Sequence, residues 1–241
     1  MSAWNFTFAG LDAESVFNAF SETAHLKPQV QRQLQVIYLT LLSTVAYCLA
    51  GYYTSYLFPV IGDKYFLLPV LGVVATTLAL CFLKATPGNL SERRTLLWAH
   101  GWLTGIVLEA ALGPLVHSGD GDMVCMAVVL ATVLFASFSV ATMVSSRQQT
   151  IYVIGAASTA LTVLLGLQLV AWLYPTSMSL FGVNMIVGVA VSCFYVVFHT
   201  HEVLEKARRG ERLDPVVHAL LFFSDFVKLF LKMIELLKSN D

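Results

Sequence analysis

The stretch PVVHALLFFSDFVKLFLKMIELL, residues 215–237, is long enough to cross a membrane and yet carries charges along its length. His218, Leu221, Asp225, Lys228, Lys232 and Glu235 follow one another at spacings of three and four, which puts them on one face of an α-helix. The opposite face holds Leu220, Phe222, Phe223, Phe226, Phe230 and Leu237. A charge at membrane depth is costly and persists where it meets a water-filled cavity, a partner or the interface. The segment reads as a membrane helix whose polar side has a use, and the rest of the chain bears on what that use is.

Of the 241 residues, 57% are hydrophobic and 12% charged, which excludes an ordinary soluble domain. A net charge of −1 leaves nothing to neutralise a row of phosphates, so no nucleic-acid partner is expected. A helical span needs about 20 mostly apolar residues. Runs that meet this lie at 36–58, 65–83, 96–116, 123–144, 151–174 and 181–198, and 215–237 makes a seventh. The connections are short, so the expected architecture is all-α and polytopic. Residues 1–35 form a cytoplasmic amphipathic segment and residues 36–241 a single seven-span domain. In the first segment Leu11, Val16, Phe17, Phe20 and Ala24 share an apolar face, as in an interfacial helix. No cleavable signal peptide is expected, because a polar stretch containing Gln29, Gln31, Arg32, Gln33 and Gln35 precedes the first apolar run.

Loop charges set the orientation. Lys27, Arg32, Lys84, Arg93, Arg94, Arg147, Lys206, Arg208, Arg209 and Arg212 fall on one side of the expected spans, and Lys64 on the other. The basic side faces the cytoplasm by the positive-inside rule, which places the amino terminus there too. The sequons at Asn5 and Asn89 then lie on the cytoplasmic side, where no glycan is expected. Cys48, Cys81, Cys125 and Cys193 each stand alone in an apolar run and read as small hydrophobes rather than disulfides or ligands.

Asp214 and Pro215 make a helix start, an acceptor at the N-cap and proline at the first helical position, and Gly210 closes the helix before it. Asp225, near the middle of the last apolar segment, has two readings. Either Lys228 neutralises it on an amphipathic surface helix, or it is a titratable group lining an ion path. Glu109 is the other deep carboxylate and has no basic residue near it in its own span. It is either protonated or faces a partner or cation on another helix. Gly101, Gly105, Ala110 and Gly113 on that span allow close helix approach. His199, His201, His218 and Glu202 gather near the end of the sixth run. His199 and His201 point to different helix faces, and no ligand-spaced motif supports a zinc site. No Gly-x-Ser-x-Gly elbow suggests a serine hydrolase.

Several stretches resemble the Bax inhibitor-1 family of membrane proteins. They are His25-Leu26-Lys27-Pro28-Gln29-Val30-Gln31-Arg32-Gln33-Leu34 with Val36-Ile37-Tyr38, Leu83-Lys84-Ala85-Thr86-Pro87 with Glu92-Arg93-Arg94, and Glu109 with Gly113-Pro114. The most specific are Thr200-His201-Glu202-Val203-Leu204-Glu205-Lys206-Ala207 with Gly210, and His218-Ala219-Leu220-Leu221-Phe222-Phe223-Ser224-Asp225-Phe226-Val227. The resemblance covers almost the whole chain. It implies a seven-helix bundle with the last helix at its centre, residence in the endoplasmic reticulum membrane, a pH-sensitive calcium leak and suppression of cell death. It also implies membrane lipids, permeating calcium and cell-death regulatory membrane proteins as partners, with no bound cofactor and no enzymatic activity. The ion path and pH sensor would then use Asp225, His199, Glu109, Lys228 and His218.

The chain departs from the family at one place. An Asp-Thr-Gln motif is usual at the end of the sixth span, its aspartate sharing a proton with the one that matches Asp225, and here His199-Thr200-His201 stands instead. A histidine–carboxylate pair titrates differently from two carboxylates. Two other classes suit a seven-span bundle with histidines and carboxylates. One is a zinc-dependent lipid hydrolase and the other a non-transporting scaffold that regulates cell death.

Overall fold

A computed structural model describes residues 28–58, 66–86, 88–144 and 178–238. These hold six α-helices and no strand: α1 (Pro28–Leu57), α2 (Leu67–Phe82), α3 (Leu90–His117), α4 (Gly121–Val144), α5 (Met178–Arg208) and α6 (Pro215–Lys238). Four stretches are long and apolar enough to cross a membrane, Pro28–Leu57, Leu90–His117, Gly121–Met143 and Val187–Arg208, and Leu67–Phe82 is apolar but shorter. The chain is a multi-pass membrane protein. The span expected at 151–174 and the amphipathic segment expected before residue 28 lie outside the described residues.

Three helices outrun the apolar spans that announce them. α1 begins at Pro28, eight positions before Val36, so the expected domain boundary at 35/36 falls within it. α3 begins at Leu90 rather than at 96, with Glu92 in its first turn, where a carboxylate suits the helix dipole. α5 runs past Phe198 to Arg208, its last turns tied by Lys206 Nζ to Glu202 Oε1 at 2.6 Å. Gly210, at φ 77°, then ends α5 in a Schellman turn, with Gly210 N bonded to Ala207 O at 3.0 Å and Glu211 N to Lys206 O at 3.1 Å. Asp214 caps α6 as its sequence suggests, its Oδ1 accepting from Val216 N at 3.0 Å.

α6 packs against each of the other five described helices. It buries Val216, Leu220, Phe222, Phe223 and Leu229 among them. Leu39, Leu49, Leu71, Leu78 and Val129 of α1, α2 and α4 face outward, which in a membrane is the lipid side. α1 and α3 touch backbone to backbone. A Cβ on Gly101 would stand 2.7 Å from Thr44 O, and one on Gly105 would overlap Cys48 O.

Candidate functional site

The charged stripe of α6 does not share one environment. Asp225 is 0% exposed, His218 is buried, and Lys228 is 56% exposed, while Lys232, half-buried against Gly188, pairs with Glu235 at 2.5 Å. The stripe thus starts inside the bundle and turns out of it toward the C-terminal end of α6. Burial on both sides of α6 explains Asp225. Phe222 and Phe223, three and two positions earlier, are as enclosed as the carboxylate is.

A carboxylate this deep needs compensation, and α5 supplies it. Asp225 Oδ2 is hydrogen-bonded to His199 Nδ1, and His199 is itself only 15% exposed. Oδ1 has no hydrogen-bond partner, and the cation beside it is Lys228 Nζ at 3.7 Å. That amine lies 5.0 Å from the ring centroid of Tyr195, a cation–π contact, and Tyr195 stacks on His199 at 6.2 Å. One turn on, Glu202 and Lys206 pair. His218 stands within electrostatic reach of both and of His199 and Asp214. Tyr195, His199, Glu202 and Lys206, at spacings of four, three and four, are therefore the α5 half of a polar seam. His218, Asp225 and Lys228 are its α6 half.

Asp214 does more than cap. Arg93, 2% exposed, pairs through Nη1 with Asp214 Oδ2 and donates from Nη2 to Leu80 O at 3.2 Å. The sequence reading places Arg93 in a cytoplasmic loop. It stands instead in the first turn of α3, because that helix starts earlier than its apolar run, and there it ties the ends of α2, α3 and α6 together.

Glu109 is not brought to this seam. Its Oε2 accepts from Ser55 Oγ on α1 at 2.8 Å, and its Oε1 lies 2.9 Å from where a Cβ on Gly113 would stand. At 1.5 Å per residue from the Arg93–Asp214 level, Asp225 lies roughly 16 Å along its helix and Glu109 roughly 24 Å along the other. The partner that Glu109 finds on another helix is a hydroxyl donor.

Several groups at the core had no announcing pattern. His100 is buried, with Nδ1 3.0 Å from Thr76 Oγ1 and its ring 5.9 Å from Phe223. The Thr76 hydroxyl is within donating distance of Gly72 O at 2.8 Å, which leaves it to accept from a protonated His100 Nδ1. Tyr38 of α1, Ser139 of α4 and Thr200 of α5 are neighbours whose hydroxyls find no aligned partner. Among the described residues no three His, Cys, Asp or Glu side chains converge to hold a metal ion.

Comparison with known proteins gives a consistent picture. The family model described as "Inhibitor of apoptosis-promoting Bax1" matches residues 30–241. The chain is 29% identical over 227 residues to Bax inhibitor 1 of Arabidopsis thaliana, covering 93% of this chain and 87% of the relative. It is 28% identical to the Oryza sativa protein of that name, with the same coverage, and 25% identical to the Homo sapiens one, over 95% of each chain.

Proposed function

The chain belongs to the family of inhibitors of apoptosis-promoting Bax1, and from that premise we propose that it suppresses cell death as a non-enzymatic, pH-sensitive calcium leak of the endoplasmic reticulum membrane. The amino terminus and the basic loops face the cytoplasm in this reading, as the charge imbalance favours. Calcium is the permeating ion, membrane lipids surround the bundle, and cell-death regulatory membrane proteins are the partners in signalling.

The observation that carries the proposal is the environment of Asp225. A fully buried carboxylate on the helix that touches the five other described helices keeps one oxygen for a histidine and leaves the second without a hydrogen bond. With His199 protonated, Asp225 stands between two cations, His199 and Lys228, and the local charge is +1, which repels calcium. As pH rises and the imidazole gives up its proton, the local charge falls to zero and Oδ1 becomes a better cation ligand. The leak is weaker while the imidazole holds its proton and grows when that proton leaves. Glu109, bonded to Ser55 at the α1–α3 contact, is assigned to packing there and not to this gate.

The test is calcium flux into vesicles reconstituted with the purified chain and with Asp225→Asn. The amide keeps the volume and still accepts from His199, so folding and insertion persist while calcium flux falls. Unchanged flux would remove Asp225 from the path.

A further inference from the structure

A groove of about 540 Å³ opens between the first turns of α1, the end of α5 and the start of α6. Arg32 of α1 and Arg212 of the connection between α5 and α6 both line it, as do Gln29 and Gln33. Both arginines are exposed, and neither has an ion-pair partner among the described residues. The nearest acidic side chain in sequence, Glu211, lies 3.9 Å from Arg209 instead. Below the polar rim the wall turns apolar at Val36 and Leu213. One turn below Val36, Leu39 and Thr40 continue α1, and Leu39 faces outward.

This is the place on α1 where its polar first turns give way to the membrane span, the level at which lipid head groups sit. Two guanidinium groups lining one groove from different elements suit a phosphate, which guanidinium groups hold through paired N–H donors. The buried Gln33 Oε1 has no hydrogen-bond partner, and its amide nitrogen reaches Glu211 O at 3.4 Å. That oxygen therefore calls for a donor, such as a hydroxyl or ammonium carried by a head group. We propose that this groove binds an anionic phospholipid, its phosphate between Arg32 and Arg212, its head-group donor at Gln33 and its acyl chains against Val36 and Leu213. Basic pockets between membrane helices are known to take such head groups. A lipid here bridges α1 to the connection joining the two helices that carry His199 and Asp225. The proposal rests on the multi-pass membrane reading and is independent of calcium conduction.

The test reads lipid retention by native mass spectrometry on the full chain in phosphatidylcholine nanodiscs doped with phosphatidylinositol. The unaltered chain should hold phosphatidylinositol through delipidation, and Arg32→Gln/Arg212→Gln should hold it about thirtyfold less well, the effect of two basic residues at a head group. Arg208→Gln/Arg209→Gln removes the same charge from the end of α5, outside the groove lining, and should retain the lipid. Equal losses in the two double variants would mean diffuse surface charge and overturn the site, as would no loss in either. Inorganic phosphate at equal concentration should not displace the lipid. Full displacement would show that a free anion, not a lipid, is the occupant.

Discussion

In the proposed ion path Lys228 would be a tethered competitor for the Asp225 carboxylate, and its removal should be felt by any cation that visits. Its Nζ stands 3.7 Å from Asp225 Oδ1, and the side chain is 56% exposed. At that exposure solvent screens the attraction to about 1 kcal/mol per unit charge. A divalent ion next to Asp225 must displace the amine or sit beside it, and beside it meets about twice that opposition, roughly 2 kcal/mol. Lys228→Met keeps the apolar stem over Tyr195 and deletes the charge. Since a factor of ten corresponds to about 1.4 kcal/mol, half-saturating calcium for flux should fall about thirtyfold. Lys228→Arg, which keeps the charge, should leave it near its starting value. The assay is the calcium dependence of flux into vesicles with an entrapped indicator. A half-saturation unmoved by Lys228→Met, or lowered equally by Lys228→Arg, would refute the reasoning.

His199→Asp restores two facing carboxylates and should move the pH midpoint of flux toward acid; coincident pH–flux curves would exclude position 199 from the sensor. Arg93→Met leaves the Asp214 carboxylate, 22% exposed, without its partner and should lower stability by about 2–3 kcal/mol, discounted from the fully buried case for solvent at Asp214. Arg93→Met/Asp214→Asn should recover part of that loss in thermal unfolding in detergent, and no recovery would mean that the pair is not what Arg93 supplies. Gly105→Ala drives a methyl into Cys48 O and should cost the α1–α3 contact, seen as lost monodispersity, whereas Gly88→Ala meets nothing within 4 Å and should behave as the unaltered chain. Equal behaviour of the two would discount the close approach.

The parts of this fold that were legible are those written locally. Gly210 and Asp214-Pro215 each specify a backbone event within a few residues, and both stand where their chemistry puts them. The apolar runs marked α2 and α4 to within two residues at each end, but missed where α1 and α3 begin and where α5 ends, because hydropathy stops at the interface while backbone hydrogen bonding continues. That is why Arg93 read as a loop residue and became a buried tie. The pairing of His199 with Asp225 joins positions 26 apart and came through resemblance, not through spacing. Ser55 for Glu109 and Tyr195 for Lys228 had no local signal at all, since each contact depends on how two helices rotate against one another.

The exchange of a carboxylate for His199 changes the charge of the site by a fixed amount, and its consequences follow from counting. Two aspartates sharing one proton carry −1 and reach −2 when that proton leaves. His199 with Asp225 carries 0 and reaches −1. Adding Lys228 makes those values +1 and 0, so each state is one unit more positive than the corresponding state of a dicarboxylate beside the same lysine. Deprotonation still favours a cation, and the sign of the pH dependence is kept. What changes is the attraction in each protonation state, which is weaker here by the interaction of one unit charge with a divalent ion. The proposed leak would therefore be more tightly restrained in either protonation state than one built on two carboxylates, and Lys228, half in solvent, is the group whose position sets how much of that restraint remains once His199 is neutral.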